Sequence, residues 1–133
     1  MAVAVDRRAL GRGVATYLAI SAPCGLLISL LKGSDSRGRE SNLWIVAALL
    51  VIVVAPMVAG AVAGTTQDSP LIHGALAVAA PAGLFLVVRA LVGAVRGTLT
   101  STQVVTFVLY LVVFTALGML GGYLGFRRRQ HLA

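Results

Sequence analysis

Four long apolar runs limit what this chain can fold into. They cover residues 14–31, 43–63, 71–89 and 104–126, and short polar links separate them. The first is 18 residues long, the second 21 and the fourth 23, all without a charge. Eighteen helical residues rise about 27 Å, close to one hydrocarbon thickness of a bilayer. Within lipid every backbone N–H and C=O must be satisfied by the segment itself, which makes each run a helix. The expected architecture is all-α: one domain, 1–133, formed by an integral membrane bundle of four helices.

Composition points the same way. The chain is 59% hydrophobic and 11% charged, with a mean hydropathy of +0.96. A water-soluble domain carries about 25% charged residues to cover its surface. Here nearly all the charge lies between the apolar runs or at their ends, and little chain is left for a soluble domain.

The net charge of +7 comes from arginines flanking the runs. Arg7, Arg8 and Arg12 precede the first, and Arg127, Arg128 and Arg129 follow the last. No aromatic-interleaved basic surface accompanies them, which argues against nucleic acid as a partner. Their expected contact is a bilayer with anionic headgroups. With four spans, the termini share a side with the 64–69 turn. That side holds six Arg, against Lys32, Arg37, Arg39 and Arg96, plus Arg89 at the interface. The bias places both termini in the cytoplasm. Abundant Ala, Val, Gly and Arg with a single lysine suggest a GC-rich bacterium, and so a multi-pass protein of the bacterial inner membrane.

Cys24 is alone, so no intramolecular disulfide can form. A basic leader, an apolar run and a cysteine also describe a lipoprotein signal. Pro23 is a poor residue before a cleavage point, and the run continues through Leu31. The first run therefore reads as a retained span. Residues 33–42 form a polar loop, with Ser41 or Asn42 as the next N-cap and Trp44 at the interface. Ser69 and Pro70 read as N-cap and N1 of the third helix. Thr100 and Gln103 fit a capping box for the fourth. Pro23, Pro56 and Pro81 lie inside spans, where they loosen or kink the backbone. Tyr17 and Tyr123, near the basic ends, read as interfacial anchors.

An offset of 58 residues aligns Ala22-Pro23-Cys24-Gly25-Leu26 with Ala80-Pro81-Ala82-Gly83-Leu84. The same offset brings Gly60 and Gly64 onto Gly118 and Gly122. This reads as a tandem repeat of a two-helix hairpin. Each unit has two spans, so the expected pseudo-twofold axis lies along the membrane normal.

Candidate functional residues are few. Gly60 and Gly64, Gly118 and Gly122, and Gly121 and Gly125 form small-xxx-small motifs, which let helix backbones approach closely. The packing they serve is either inside the bundle or against a partner. Arg89 lies 18 residues after Leu71, deep enough to count as an intramembrane charge unless it snorkels to the far interface. Asp68 and His73 flank a helix start, where a cap and an interfacial imidazole explain them more simply than an acid–base pair. Tyr110, with Ser21, Ser29, Thr16, Thr106 and Thr115, is polar enough to line a path, although such groups more often bond to backbone. No span carries an acid, and no His, Cys or carboxylate set has metal-ligand spacing. No catalytic, metal or cofactor site is expected.

The runs GAVAG…SPLIHGAL (60–76) and GGYLGFRRR (121–129) resemble small bacterial four-helix membrane proteins of the YrzE-like kind. Those proteins have glycine-rich second and fourth spans and a His-Gly pair opening the third. The resemblance implies the layout and no activity. The expected function is non-enzymatic: a structural or accessory subunit, or a self-associating scaffold, in a homo-oligomer or larger membrane complex. The alternative is a small oligomeric transporter or channel.

Overall fold

The computed structural model describes residues 6–34, 43–65 and 69–131. Among them there are four helices and no strand: α1 (Arg7–Ser34), α2 (Leu43–Gly64), α3 (Pro70–Val95) and α4 (Ser101–Gln130). Two of them, α3 and α4, are long and apolar enough to cross a membrane.

The helix ends follow local chemistry. Asp6 caps α1: its Oδ1 accepts the N–H of Arg8 at 2.8 Å and that of Ala9 at 3.4 Å. The basic stretch before residue 14 is therefore helical, and α1 begins seven residues earlier than the apolar run. The Thr100–Gln103 capping box is complete in both directions. Ser69 and Pro70 take the expected N-cap and N1 places, but the Ser69 hydroxyl makes no cap bond. Helix α3 runs past Arg89 to Val95 and stops at Gly97, whose φ of 65° is left-handed. The arginine triplet is the last turn of α4. Pro23, Pro56 and Pro81 all lie inside helices.

Helices α2 and α3 each touch all the others, whereas α1 and α4 do not touch among the described residues. Neighbouring glycines give the directions. Gly60 faces Gly118 and Gly64 faces Gly122, so α2 and α4 are parallel. Gly74 faces Gly118 while Pro70 faces Gly122, so α3 and α4 are antiparallel. The first pair of contacts joins residues 58 apart, as a twofold between α2 and α4 demands. A twofold exchanging α1 with α3 and α2 with α4 would also make α1 touch α4, as α3 touches α2. Instead α1 docks on α3 through Gly13, beside Ala77. Glycines 58 residues apart thus meet at the α2–α4 seam, while α1 is not placed as the twofold expectation requires.

The radial distribution of residues is inverted relative to a water-soluble bundle. Ala55, Ala59, Ala63 and Ala77 are fully buried. Leu84, Phe85, Leu91, Val105 and Leu109 are 61–69% exposed. Tyr17 departs from the expected interfacial anchor. The early start of α1 carries it inward, and it packs in the core with Ala55, Ala59, Val78 and Ala82. Tyr123 remains exposed.

Candidate functional site

The glycine motifs lie at helix seams. A methyl group on Gly60 would strike the Gly118 carbonyl, and one on Gly64 would lie 2.6 Å from the Gly122 oxygen. Gly121 faces the backbone of Met57, and Gly125 that of Ala61. All six predicted packing glycines are thus spent on contacts within the chain. Gly13 and Gly74 do the same work outside any motif read from the sequence. In lipid, where apolar surface gains nothing by leaving the solvent, this close backbone contact is a main source of helix association.

His73 is fully buried in the first turn of α3. Its Nδ1 lies 3.0 Å from the Ser69 carbonyl, and its Nε2 accepts the backbone N–H of Asp6 at 3.1 Å. A carbonyl can only accept and a backbone N–H can only donate. The two partners therefore fix the neutral imidazole protonated on Nδ1. The ring bonds the Ser69 carbonyl on one side and the Asp6 N–H on the other, and so ties the start of α1 to the start of α3. Its i+4 spacing from Ser69 was visible in the sequence. Its partner Asp6, 67 positions away, carried no such signal, and the exposed interfacial imidazole gives way to a buried latch. Asp68, once paired with His73 on spacing, lies outside the described residues.

At the opposite end, α3, α4 and the turn between them line a cleft of about 170 Å³. The Arg89 guanidinium carbon sits 5.9 Å from the centre of the Phe107 ring, a cation–π contact across the two helices. Arg96, two turns on, shares the same face of α3 and reaches the same cleft. Arg89 is exposed, as a snorkelling side chain would be. Tyr110 is 42% exposed and stacks on Phe114, with ring centres 6.0 Å apart. It faces outward and away from the core. Thr16, Thr106 and Thr115 each donate to the carbonyl four residues back, the ordinary use of a hydroxyl on an apolar helix.

The structure thus separates the sequence candidates into two groups. His73 and the glycines form a closed end together with Asp6. Arg89 joins Arg96 at the other end, with Tyr110 outside the cleft. Among the described residues no three His, Cys, Asp or Glu side chains cluster where a metal could bind. No family model matches the chain, and no curated protein or solved structure does either.

Proposed function

We propose that this chain is a four-span integral membrane protein with a non-enzymatic role, an accessory subunit or scaffold that packs against another membrane component or a second copy of itself. The observation that carries this reading is the inverted radial pattern: alanine and glycine inside, leucine, valine and phenylalanine outside. A soluble monomer's largest apolar patch is about 300–600 Å². The outward faces of α3 and α4 suit acyl chains or another apolar helix instead. Because the glycine seams are closed within the chain, association uses these outer faces. In this reading α1 and α2 also cross the bilayer, and both termini lie in the cytoplasm of a bacterium.

Crosslinking in native membranes followed by mild purification tests the role. A stable oligomer or a co-purifying membrane protein is the expected result. A monomer in native lipid with nothing attached would remove the subunit role. Tags on the two termini with opposite accessibility would remove the four-span arrangement itself.

The transporter reading is favoured by one observation, the outward charge of Arg89, which makes no ion pair among the described residues. The core of one chain is filled by Tyr17, Ala55, Ala59, Val78 and Ala82, so any path would run between copies. Flux in reconstituted vesicles that disappears with Arg89→Ala would support that reading, and unchanged flux would take Arg89 out of it.

A further inference from the structure

We propose that the α3–α4 cleft is a binding site for the phosphate of an anionic phospholipid, held by Arg89 and Arg96, with an acyl chain along the outer face of α3. This rests on the membrane reading above and gives the open end of the bundle a specific lipid.

The argument begins with spacing. Residues 89, 92, 93 and 96 share one face of α3. Two turns separate the arginines, about 10.5 Å along the axis. Pro70 to Arg89 spans about 28 Å, so with Pro70 at one edge of the hydrocarbon, Arg89 lies at the other and Arg96 among the headgroups. A phosphodiester occupies that depth. A cation at a helix C-terminus needs no ligand to be tolerated, but Arg89 stands two turns before the end. Phe107 holds its guanidinium against α4, at the mouth of the cleft. Neither arginine makes an ion pair among the described residues.

The donor inventory suits an anion. Arg89 and Arg96 offer planar guanidinium forks, which match phosphate oxygens in pairs. Gln103, which also lines the cleft, uses its Oε1 to accept the Thr100 N–H, so its NH₂ group remains a donor. Among the described residues, no carboxylate lines the cavity.

The shape suits an amphiphile. The cleft is several times the ~30 Å³ share of one water, and below the ~300 Å³ where drug-sized pockets begin. A second, shallower and more apolar furrow of about 340 Å³ shares Val92 and Arg96 with it and continues over Leu91 and Val95. A charged hollow leading onto a greasy furrow fits a headgroup and its chain together. A soluble phosphate would leave the furrow bare.

The test uses the full chain, purified in mild detergent and titrated with phosphatidylglycerol or phosphatidylcholine, with bound lipid read by native mass spectrometry. Phosphatidylglycerol should be retained in preference to phosphatidylcholine. Arg89→Gln and Arg96→Gln should each weaken retention about fivefold, and the double variant more, as expected for removing single interfacial charges. Both side chains are exposed, so the variants should keep the wild-type helicity, checked by circular dichroism. Arg127→Gln with Arg128→Gln, at the opposite end, should change retention little. The proposal is overturned by equal retention of the two lipids, by an unchanged Arg89/Arg96 double variant, or by an equal loss in the Arg127/Arg128 variant, which would mean diffuse charge. Displacement by glycerol phosphate as efficient as by the lipid would also overturn it, since the site would then take a free phosphate. A chain that fails to enter vesicles at all would instead defeat the membrane reading on which this rests.

Discussion

Helix α3 passes through two different environments, and the contrast explains most of the molecule. Its first half, with His73, Gly74, Ala77, Val78 and Ala82, is buried against every other helix. Its second half exposes Leu84, Phe85, Val87, Val88 and Leu91. Helix α4 mirrors this in reverse. Its buried residues are Gly118, Gly121, Gly122 and Gly125, all near its C-terminus, and the half that starts at Ser101 is mostly exposed. The difference lies in side-chain size. Where glycine and alanine face one another, backbones meet. Where leucine, valine and phenylalanine take over, the side chains are largely exposed, and a cleft lies beside Arg89 and Arg96. One end is held by backbone contact and a buried hydrogen-bonded ring; the other, among the described residues, is lined by arginines and exposed apolar side chains.

The largest expected effect comes from breaking the closed end. A methyl on Gly74 would strike the Gly118 carbonyl, and one on Gly118 would lie 2.6 Å from the Gly74 oxygen. Backbone cannot step aside as a side chain can. Gly74→Ala and Gly118→Ala should each cost about 2–3 kcal/mol. Reversible unfolding in mixed micelles, followed by helicity, measures this. Wild-type stability in both variants would show that the seam is looser than its geometry.

Next is the latch. His73→Phe keeps a ring but removes the acceptor of the Asp6 N–H and the second donor to the Ser69 carbonyl, which keeps the backbone N–H of residue 73, at a cost of about 2 kcal/mol. His73→Gln can still accept from Asp6 and should fall between the two. Hydrogen exchange at the first turn of α1 separates the latch from simple packing. Phe should accelerate exchange there most, Gln less, and Gly118→Ala only as far as global stability falls. Faster exchange confined to α3 would mean that the ring does not tie the two helices together.

How much of this was legible in the sequence follows from where each signal sits. The capping box at Thr100 needs only four consecutive residues, and it is present as read. The glycine pairs 58 apart lie opposite one another because both carry the same spacing along parallel helices. The start of α1 was obscured because Arg7, Arg8 and Arg12 read as topology signals, although Asp6 is an ordinary N-cap residue. That shift then moved Tyr17 from the interface into the core. The burial of His73 depends on a contact 67 residues away, which no local pattern encodes. The Arg89–Arg96 pairing needed only the i, i+7 spacing. It was missed because the span was read as ending at Arg89, with residues 90–97 a separate interfacial extension.

A smaller effect belongs to the stop of α3. Gly97 has open space around it, so a methyl there would meet nothing. Its φ of 65° is the obstacle. Gly97→Ala should cost about 1 kcal/mol from backbone strain alone. It should also loosen the turn in which the Thr98 and Leu99 N–H groups bond the Gly93 carbonyl. Gly97→Asn, which tolerates the left-handed region better, should recover part of the loss. Equal losses in the two variants would point to a contact at Gly97 other than backbone conformation.

The smallest effect sharpens the comparison most, because it uses the same substitution on the same helix. Gly83 lies nine residues after Gly74, in the open half of α3. A methyl there would meet only Leu111 Cδ1, at 3.8 Å, an ordinary van der Waals distance. Helical geometry accepts alanine, and alanine is the better helix former. Gly83→Ala should therefore leave stability within about 0.5 kcal/mol of wild type, with the sign toward stabilisation. The difference between Gly74→Ala and Gly83→Ala, measured in the same micelles, isolates the neighbouring backbone from the intrinsic preference of the residue. If the two variants lost stability equally, the open half of α3 would be packed as tightly as the closed half.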